Sequence, residues 1–189
     1  DRALAEDAAG LTGGVIIPRK GLAELKRLAD EDDADEIELA FEGNSGLARK
    51  GSVTLVMRLI EGDFPNYRQV IPKEITRYIA LPSERLIHAL RRAVLLSSER
   101  SRAVKLELTE GQLVLSSSNP DLGDSREELD VDYAGEALSV GFNARYLLDA
   151  LAAMHAKEVR FGVQDDLSPA QLLPIGEEDT LAVVMPMRI

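Results

Sequence analysis

Ser83–Leu115 reads SERLIHALRRAVLLSSERSRAVKLELTEGQLVL, and this stretch decides the fold because the period of its apolar residues changes midway. Leu86 and Leu90 belong to an apolar arc at helical spacing, which predicts an amphipathic helix with its cationic residues on the opposite face. From Val104 onward every second residue is apolar, which is the period of a half-buried strand. A turn at Gly111 precedes a second alternating run. The stretch therefore predicts a helix followed by an antiparallel hairpin.

The same order of helix, strand, turn and strand occurs three times along the chain. The three repeats begin at Gly21, Ser83 and Asn143, and Ser83 and Asn143 are each placed to cap a helix. Two such repeats can pair into one domain with helices on one side of antiparallel sheets, which leaves the first repeat without a mate. We therefore predict an α+β fold that holds half of one domain and all of the next.

Shorter stretches give three further predictions. Val15-Ile16-Ile17 is predicted to form a short strand, and the leucines of the first helix are predicted to share one buried face. A later strand is predicted where apolar residues alternate again. The helix residues are Leu22, Leu25 and Leu28, and the strand residues are Leu129, Val131 and Tyr133.

Composition limits the class of protein. The chain has 189 residues, of which 45% are hydrophobic, enough for a packed core. No apolar run approaches the roughly 20 residues that a membrane-spanning helix needs, so we expect a cytoplasmic protein. There is no cysteine, which excludes disulfides and thiolate zinc sites.

The charge of the chain is unevenly distributed. A formal net charge of −11 argues against tight binding of nucleic acid, since such binding depends on Lys and Arg. Basic residues nevertheless concentrate between positions 83 and 105, whereas 30–42 and 121–136 are mainly acidic. This segregation fits a molecule with one mildly basic face and an acidic exterior that repels nucleic acid. It also fits ordinary solvated helices and loops.

The sequence offers no catalytic or metal-binding constellation. His88 and His155 lie on separate predicted helices, and no acidic residue beside either has metal-ligand spacing. Gly10, Gly13 and Gly14 do not match a phosphate-binding loop. We therefore expect no catalytic residue, no metal and no cofactor.

The last seven residues, VVMPMRI, combine strand and non-strand signals. Pro186 cannot donate a ladder hydrogen bond, so it marks a departure from the sheet. The flanking Met185 and Met187 are flexible and suit a surface groove for varied apolar peptides. Alternatively, the side chains of Met185 and Met187 fill the core beneath the last strand.

Three stretches carry a resemblance to a known family: Val15–Gly21 (VIIPRKG), Glu61–Arg68 (EGDFPNYR) and Val183–Arg188 (VVMPMR). Through them the chain, from Gly14 to Ile189, resembles the bacterial DNA sliding clamp, the beta subunit of DNA polymerase III. The resemblance implies a DNA clamp fold, in which each domain packs two helices inside antiparallel sheets. It also implies that residues 1–74 are the second half of the middle domain and that residues 75–189 are the complete C-terminal domain.

The resemblance further implies a processivity factor: a head-to-tail homodimer that encircles duplex DNA non-specifically and performs no catalysis. Polymerase, clamp loader and repair proteins would bind a C-terminal hydrophobic groove of this protein through short linear motifs. The groove residues carried over are Pro65, Val70, Asn143, Tyr146, Leu167, Pro169, Val183, Met185, Pro186, Met187, Arg188 and Ile189. The DNA-facing residues are Arg19, Lys20, Arg92, Arg100 and Arg102, and the subunit interface includes Leu95 and Leu96.

Three positions depart from the family pattern: Gln69 and Pro169 at the groove rim, and Glu128 at the interface, where the family more often has an apolar residue. A ring needs two unlike contact surfaces on every subunit, so we expect this chain alone not to close one. A peptide-binding adaptor that never encircles DNA is the alternative function. A hydrolase or transferase ranks far behind, since the sequence offers no nucleophile, base or metal constellation.

Overall fold

The computed structural model describes residues 14–30, 36–98, 101–177 and 179–189. The chain divides after Pro65 into two compact units, and the second unit begins at Asn66. The predicted domain boundary between residues 74 and 75 lies within the second unit and stays a prediction. No helix in these ranges combines the length and apolarity that crossing a membrane requires.

The first unit packs one helix on a three-stranded antiparallel sheet. Helix α1 spans Arg19–Asp30, and the strands are β1 (Glu38–Glu42), β2 (Ser45–Lys50) and β3 (Val53–Arg58), in the order β1-β2-β3. The buried core consists of Leu28, Ala48, Met57 and Leu59. The ammonium group of Lys50, at the end of β2, donates a hydrogen bond to the carbonyl of Ala29 in the last turn of α1 (3.0 Å). A nearly buried cation therefore contacts the C-terminal end of α1, where it stabilises the partial negative charge of the helix carbonyls.

Two predictions for the first unit are wrong. Val15-Ile16-Ile17 forms no strand but a single antiparallel bridge, Ile16 to Ile60, because Pro18 has no N–H to extend the pairing and α1 begins at the next residue. Leu22 is 59% exposed and does not share the buried face. At 100° per residue it lies about 120° from Leu28 around the helix, whereas Gly21 lies within about 20° of Leu28 and is buried instead.

The second unit contains two four-stranded antiparallel sheets and two helices in its described part. One sheet has the order β7-β6-β5-β8 and the other β11-β10-β9-β4. Helix α2 packs on the first sheet, helix α3 contacts strands of both, and the helices pack against each other. The elements are β4 (Arg77–Pro82), α2 (Ser83–Leu95), β5 (Ala103–Thr109), β6 (Gln112–Asn119), β7 (Gly123–Asp130), β8 (Leu138–Asn143), α3 (Ala144–Met154), β9 (Glu158–Val163), β10 (Ala170–Pro174) and β11 (Ala182–Val184).

A single apolar core joins the helices and both sheets of the second unit. The predicted inner faces of α2 and α3 are buried, with Leu86, Leu90 and Leu147 each at most 2% exposed. Phe142 of β8 and Phe161 of β9 meet edge to face, with ring centroids 5.9 Å apart. The α+β prediction is confirmed, and the core ties the sheet that ends in β8 firmly to the sheet that contains β9.

The two predicted helix caps have opposite outcomes. Asn143 caps α3, because its side-chain oxygen accepts a hydrogen bond from the backbone N–H of Arg145 (2.9 Å). Ser83 is not a cap: it is the first residue of α2, and Pro82 occupies the cap position. The N–H of Ser83 donates to the carbonyl of Lys157 (2.9 Å), since β4 runs directly into the helix while paired with β9. Its hydroxyl is buried without a hydrogen-bond partner among the described residues.

The predicted strand through Leu129, Val131 and Tyr133 is only half correct. Strand β7 ends at Asp130, one residue before Val131. Val131 and Tyr133 are buried all the same, because the chain beyond β7 wraps around the β5–β6 turn. There the N–H of Val131 donates to the carbonyl of Gly111, and the N–H of Gly111 donates to the carbonyl of Tyr133.

Candidate functional site

The C-terminal segment, Met185–Ile189, links the two sheets of the second unit. Strand β11 pairs with β10, with Val183 opposite Gln171. The chain leaves this sheet at Pro186, as its missing N–H predicts. The N–H of Met187 then donates to the carbonyl of Gly141 on β8, 2.8 Å away, in an isolated antiparallel bridge. The segment therefore crosses from the edge of one sheet to the edge of the other.

A cleft of about 740 Å³ lies beside this segment. Four predicted groove residues line it, and two of them, Leu167 and Ile189, present large exposed apolar side chains. Its other lining residues include the charged Lys105, Asp166 and Arg188, so the cleft combines apolar and charged side chains. The lining residues are Lys105, Ser139, Val140, Gly141, Asp166, Leu167, Met187, Arg188 and Ile189.

The loop that carries Leu167 is held by one carboxylate. Asp165 accepts hydrogen bonds from the N–H groups of Leu167 (2.9 Å) and Ser168 (2.5 Å) and from the Ser168 hydroxyl (2.9 Å). These bonds, the backbone ones first, lower the pKa of Asp165, and the charge of Arg77 adds to the effect. Leu167 is thus presented to solvent, 64% exposed, by an ordered turn.

The other predicted groove positions lie outside the lining of this cleft. Asn143 and Tyr146 stand where β8 passes into α3, and Tyr146 is 60% exposed. The side-chain oxygen of Asn143 is already engaged in capping the helix. Pro169 immediately precedes β10 and is half-buried. Val183 lies on β11, and Met185 and Pro186 begin the C-terminal segment. Met185 is 59% exposed, which removes it from the core.

Pro65 and Val70 belong to different units. Pro65 is the last residue of the first unit and is exposed. Val70 is 51% exposed and follows a short 3-10 helix, Tyr67–Gln69, at the start of the second unit. Beyond this placement, the contribution of both residues to the groove stays a prediction.

The predicted DNA-facing residues differ in their surroundings. Arg19 and Lys20 are exposed in the first turn of α1. Arg92 on α2 forms a bidentate hydrogen-bonded pair with Glu127 of β7 (2.7 and 2.6 Å), which raises the pKa of Arg92 and lowers that of Glu127. Arg102 is half-buried with a φ of 46°, and its carbonyl accepts a hydrogen bond from Ala144 (3.0 Å). Arg100 lies outside the described residues.

The predicted subunit-interface residues lie at the end of α2, where Leu95 is 74% exposed and Leu96 is half-buried. The neighbouring β7 is an edge strand of its sheet, with β6 as its pairing partner among the described strands. Glu128 on β7 binds Arg126 (2.9 Å) and accepts from Gln112 (3.2 Å). An edge strand is a ready site for association with another chain, and the role of Leu95 and Leu96 in such a contact stays a prediction.

Sequence reasoning missed five residues of the cleft: Lys105, Ser139, Val140, Gly141 and Asp166. Gly141 alone had a usable signal, because a glycine inside a strand often marks a close approach by another backbone. Lys105 enters the cleft because it lies opposite Gly141 in the β5–β8 pairing. This relationship is a matter of register, which no local pattern reveals. Within the part of the chain that the structure describes, no group of three His, Asp or Glu residues could hold a metal ion.

Comparisons with known proteins show the family to which the chain belongs. Two family models match in succession: "DNA polymerase III beta subunit, central domain" over residues 3–66, and "DNA polymerase III beta subunit, C-terminal domain" over residues 68–188. The chain is 38% identical over 175 residues to the beta sliding clamp of Proteus mirabilis and 36% identical to that of Escherichia coli K12. Each alignment covers 93% of this chain and 48% of the relative.

Solved structures give the same result. The crystal structure of the DNA polymerase III subunit beta from Pseudomonas aeruginosa matches with a TM-score of 0.84 at 36% identity, covering 93% of this chain and 48% of that one. A sliding clamp from Bartonella birtlesii, bound to griselimycin, matches with a TM-score of 0.88 at 33% identity, covering 100% and 50%. The chain therefore spans about half the length of the relatives it matches.

Proposed function

This chain belongs to the DNA polymerase III beta subunit family, and from this premise we propose that it is the latter half of a bacterial sliding clamp. In this role it is a non-catalytic, cytoplasmic accessory subunit that keeps the replicative polymerase on its template. The observation that carries the proposal is the succession of a central-domain and a C-terminal-domain match along one chain, in that order.

The clamp holds duplex DNA by encircling it. A topological link needs only weak, sequence-independent attraction to phosphates, which is compatible with a net charge of −11. The cations proposed to face the DNA are Arg19, Lys20, Arg92, Arg100 and Arg102. Arg92 takes this role as part of its ion pair with Glu127, so its attraction for phosphate is moderated.

Partner proteins bind the second unit at its C-terminal groove. The proposed lining within this unit is Val70, Asn143, Tyr146, Leu167, Pro169, Val183, Met185, Pro186, Met187, Arg188 and Ile189. Support comes from the exposed apolar side chains of this set and from the ordered turn that presents Leu167. Short linear motifs of the polymerase, the clamp loader and repair proteins are the proposed ligands, since such peptides are anchored by a few apolar side chains.

Two protomers join head to tail, and the end of α2 with the free edge of β7 forms one of the two unlike surfaces that this symmetry requires. Leu95 and Leu96 supply its apolar contacts. The acidic side chains of β7, including Asp124, Glu128 and Asp130, are exposed. They would favour a basic surface on the neighbouring subunit.

Calorimetry with griselimycin tests the binding role, because that compound is bound to the Bartonella birtlesii relative. We expect the 189-residue chain to bind it with one-to-one stoichiometry and to release it when the replicative polymerase subunit is added. Binding of neither ligand by the folded chain would contradict the proposed groove.

A further inference from the structure

We propose that Gly141 is a positioning residue, whose missing side chain allows the C-terminal segment to lie on β8 and so forms one wall of the cleft. The inference rests on the proposed function of that cleft. It assigns a specific task to a residue that carries no chemistry of its own.

The first observation is the closeness of the segment to Gly141. A Cβ atom built at position 141 would lie 2.2 Å from Cγ1 and 2.4 Å from Cδ1 of Ile189, and 2.5 Å from the carbonyl oxygen of Met187. Real Cβ atoms essentially never make contacts under 3.0 Å. Even alanine at this position therefore requires the segment to move.

The second observation is that glycine is required at position 141 because there is no room for a side chain, and not because of the backbone conformation. Gly141 is absent from the described glycines with positive φ, so an L-residue can adopt its backbone conformation. It lies inside a regular strand, opposite Lys105 of β5. Glycine inside a strand weakens the strand, and its presence here is explained by the close approach of a second backbone.

The third observation is that β8 cannot yield in place of the segment. The residues on either side of Gly141, Val140 and Phe142, are 4% and 0% exposed on the opposite face of the sheet. Phe142 also packs edge to face on Phe161. Close-packed cores resist displacement, whereas the described contact of the segment with the β8 backbone is a single bridge and the side chain of Ile189 is exposed. A side chain at 141 would therefore lift the segment.

Displacement of the segment would change the cleft directly. Met187, Arg188 and Ile189 all line it, together with Gly141 itself. Ile189 also lines a second hollow of about 430 Å³ on the same sheet, whose lining is rich in serine. Displacement of the segment therefore changes the lining of both spaces, and a ligand that packs on Met187 loses its support.

The test compares Gly141→Ala with Gly162→Ala in the full 189-residue chain. Gly162 lies on β9, and a Cβ atom there would meet Cε1 of the Tyr78 side chain at 2.4 Å, so the control position is crowded as well. Strand β9 is separated from β11 by β10, and the bridge of Met187 is to β8 instead. Hydrogen exchange of the Met187 amide reports the bridge to Gly141, and calorimetry with griselimycin reports the cleft.

We expect Gly141→Ala to speed exchange of the Met187 amide at least about fivefold and to weaken griselimycin binding at least about tenfold, with the β8 and β9 amides still protected. We expect Gly162→Ala to leave the Met187 amide protected. Trimming the segment with Ile189→Ala in the Gly141→Ala background should restore part of the protection.

Unchanged Met187 exchange in a folded Gly141→Ala variant would overturn the inference, as would equal deprotection in both glycine variants. Faster exchange with unchanged griselimycin binding would overturn the link between Gly141 and the cleft. Failure of the unsubstituted chain to bind griselimycin would contradict the proposed groove instead, and the exchange measurement would still decide whether Gly141 positions the segment.

Discussion

The backbone N–H of Met187 and the carbonyl of Gly141 are joined by a 2.8 Å hydrogen bond, which attaches the C-terminal segment to strand β8. The segment leaves its own sheet at Pro186 and reaches the edge of the neighbouring sheet within the same unit. As a result, the side chains of Met187 and Ile189 line a surface cleft.

Met187→Ala should weaken griselimycin binding by about 1–3 kcal/mol, as truncation of a central apolar contact often does. Isothermal calorimetry provides the measurement. The matched control is Leu122→Ala, which removes a 62% exposed apolar side chain from the β6–β7 turn and should leave the affinity unchanged. Equal affinity of the folded Met187→Ala chain and the unsubstituted chain would reject the placement of this side chain in the groove.

The sequence predicted those parts of the fold that depend on local periodicity. Helix α2, the β5–β6 hairpin and the Asn143 cap are all found where the pattern placed them. The Ser83 cap failed because the pairing of β4 with β9 carries Ser83 into the helix, a contact between residues far apart in sequence. Strand β4 itself was missed, although Ile79 and Leu81 alternate within it.

Most of the candidate site was predictable only through the resemblance, although the C-terminal pattern alone suggested a groove at Met185 and Met187. Leu167, Met187, Arg188 and Ile189 were carried over from the family motif and do line one cleft. Lys105 and Asp166 line it as well, because strand register and a loop place them beside the C-terminal segment. The apolar periodicity of one strand does not show which residues lie beside it on neighbouring strands and loops. Lys105 and Asp166 could therefore be identified only from the structure.

Asp165→Asn should lower the thermal stability of the chain at neutral pH, since the amide accepts the hydrogen bonds of Leu167 and Ser168 less well than a carboxylate. The pKa of Asp165 is lowered in the folded chain. Its contribution is therefore present above its ordinary pKa and is lost as the pH falls through the lower folded value.

Melting curves between about pH 6 and pH 2 check this prediction. The unsubstituted chain should lose more stability on acidification than Asp165→Asn does. Asp166→Asn removes the same charge from the next residue and serves as the control. Identical pH profiles for Asp165→Asn and the unsubstituted chain would show that this carboxylate does not stabilise the loop.

Lys50→Met should destabilise the first unit by about 1–3 kcal/mol, because it removes a nearly buried, charge-assisted hydrogen bond to the last turn of α1. Hydrogen exchange of the α1 and β2 amides measures the change within that unit. Lys26→Met removes a lysine from the exposed face of the same helix and should have little effect. Equal exchange in the two variants would exclude a capping role for Lys50.

The 189-residue chain should bind linear duplex DNA only weakly, with a dissociation constant above about 1 µM at physiological salt. Its net charge of −11 repels the phosphates, and the topological mode of binding requires a closed ring. Fluorescence anisotropy across a salt titration measures this affinity. Nanomolar binding that resists salt would indicate a protein that grips DNA instead of sliding along it.

Retention on circular DNA tests topological binding most directly. For this test, a polypeptide of full family length in which this sequence supplies the proposed latter half is incubated with a clamp loader and a nicked circular plasmid. Gel filtration then separates bound protein from free protein. We predict that the protein elutes with the circle and is released when a restriction enzyme linearises the plasmid. Equal retention on circular and linear DNA, or no retention on either despite griselimycin binding, would contradict a clamp, and the second result would favour a peptide-binding adaptor.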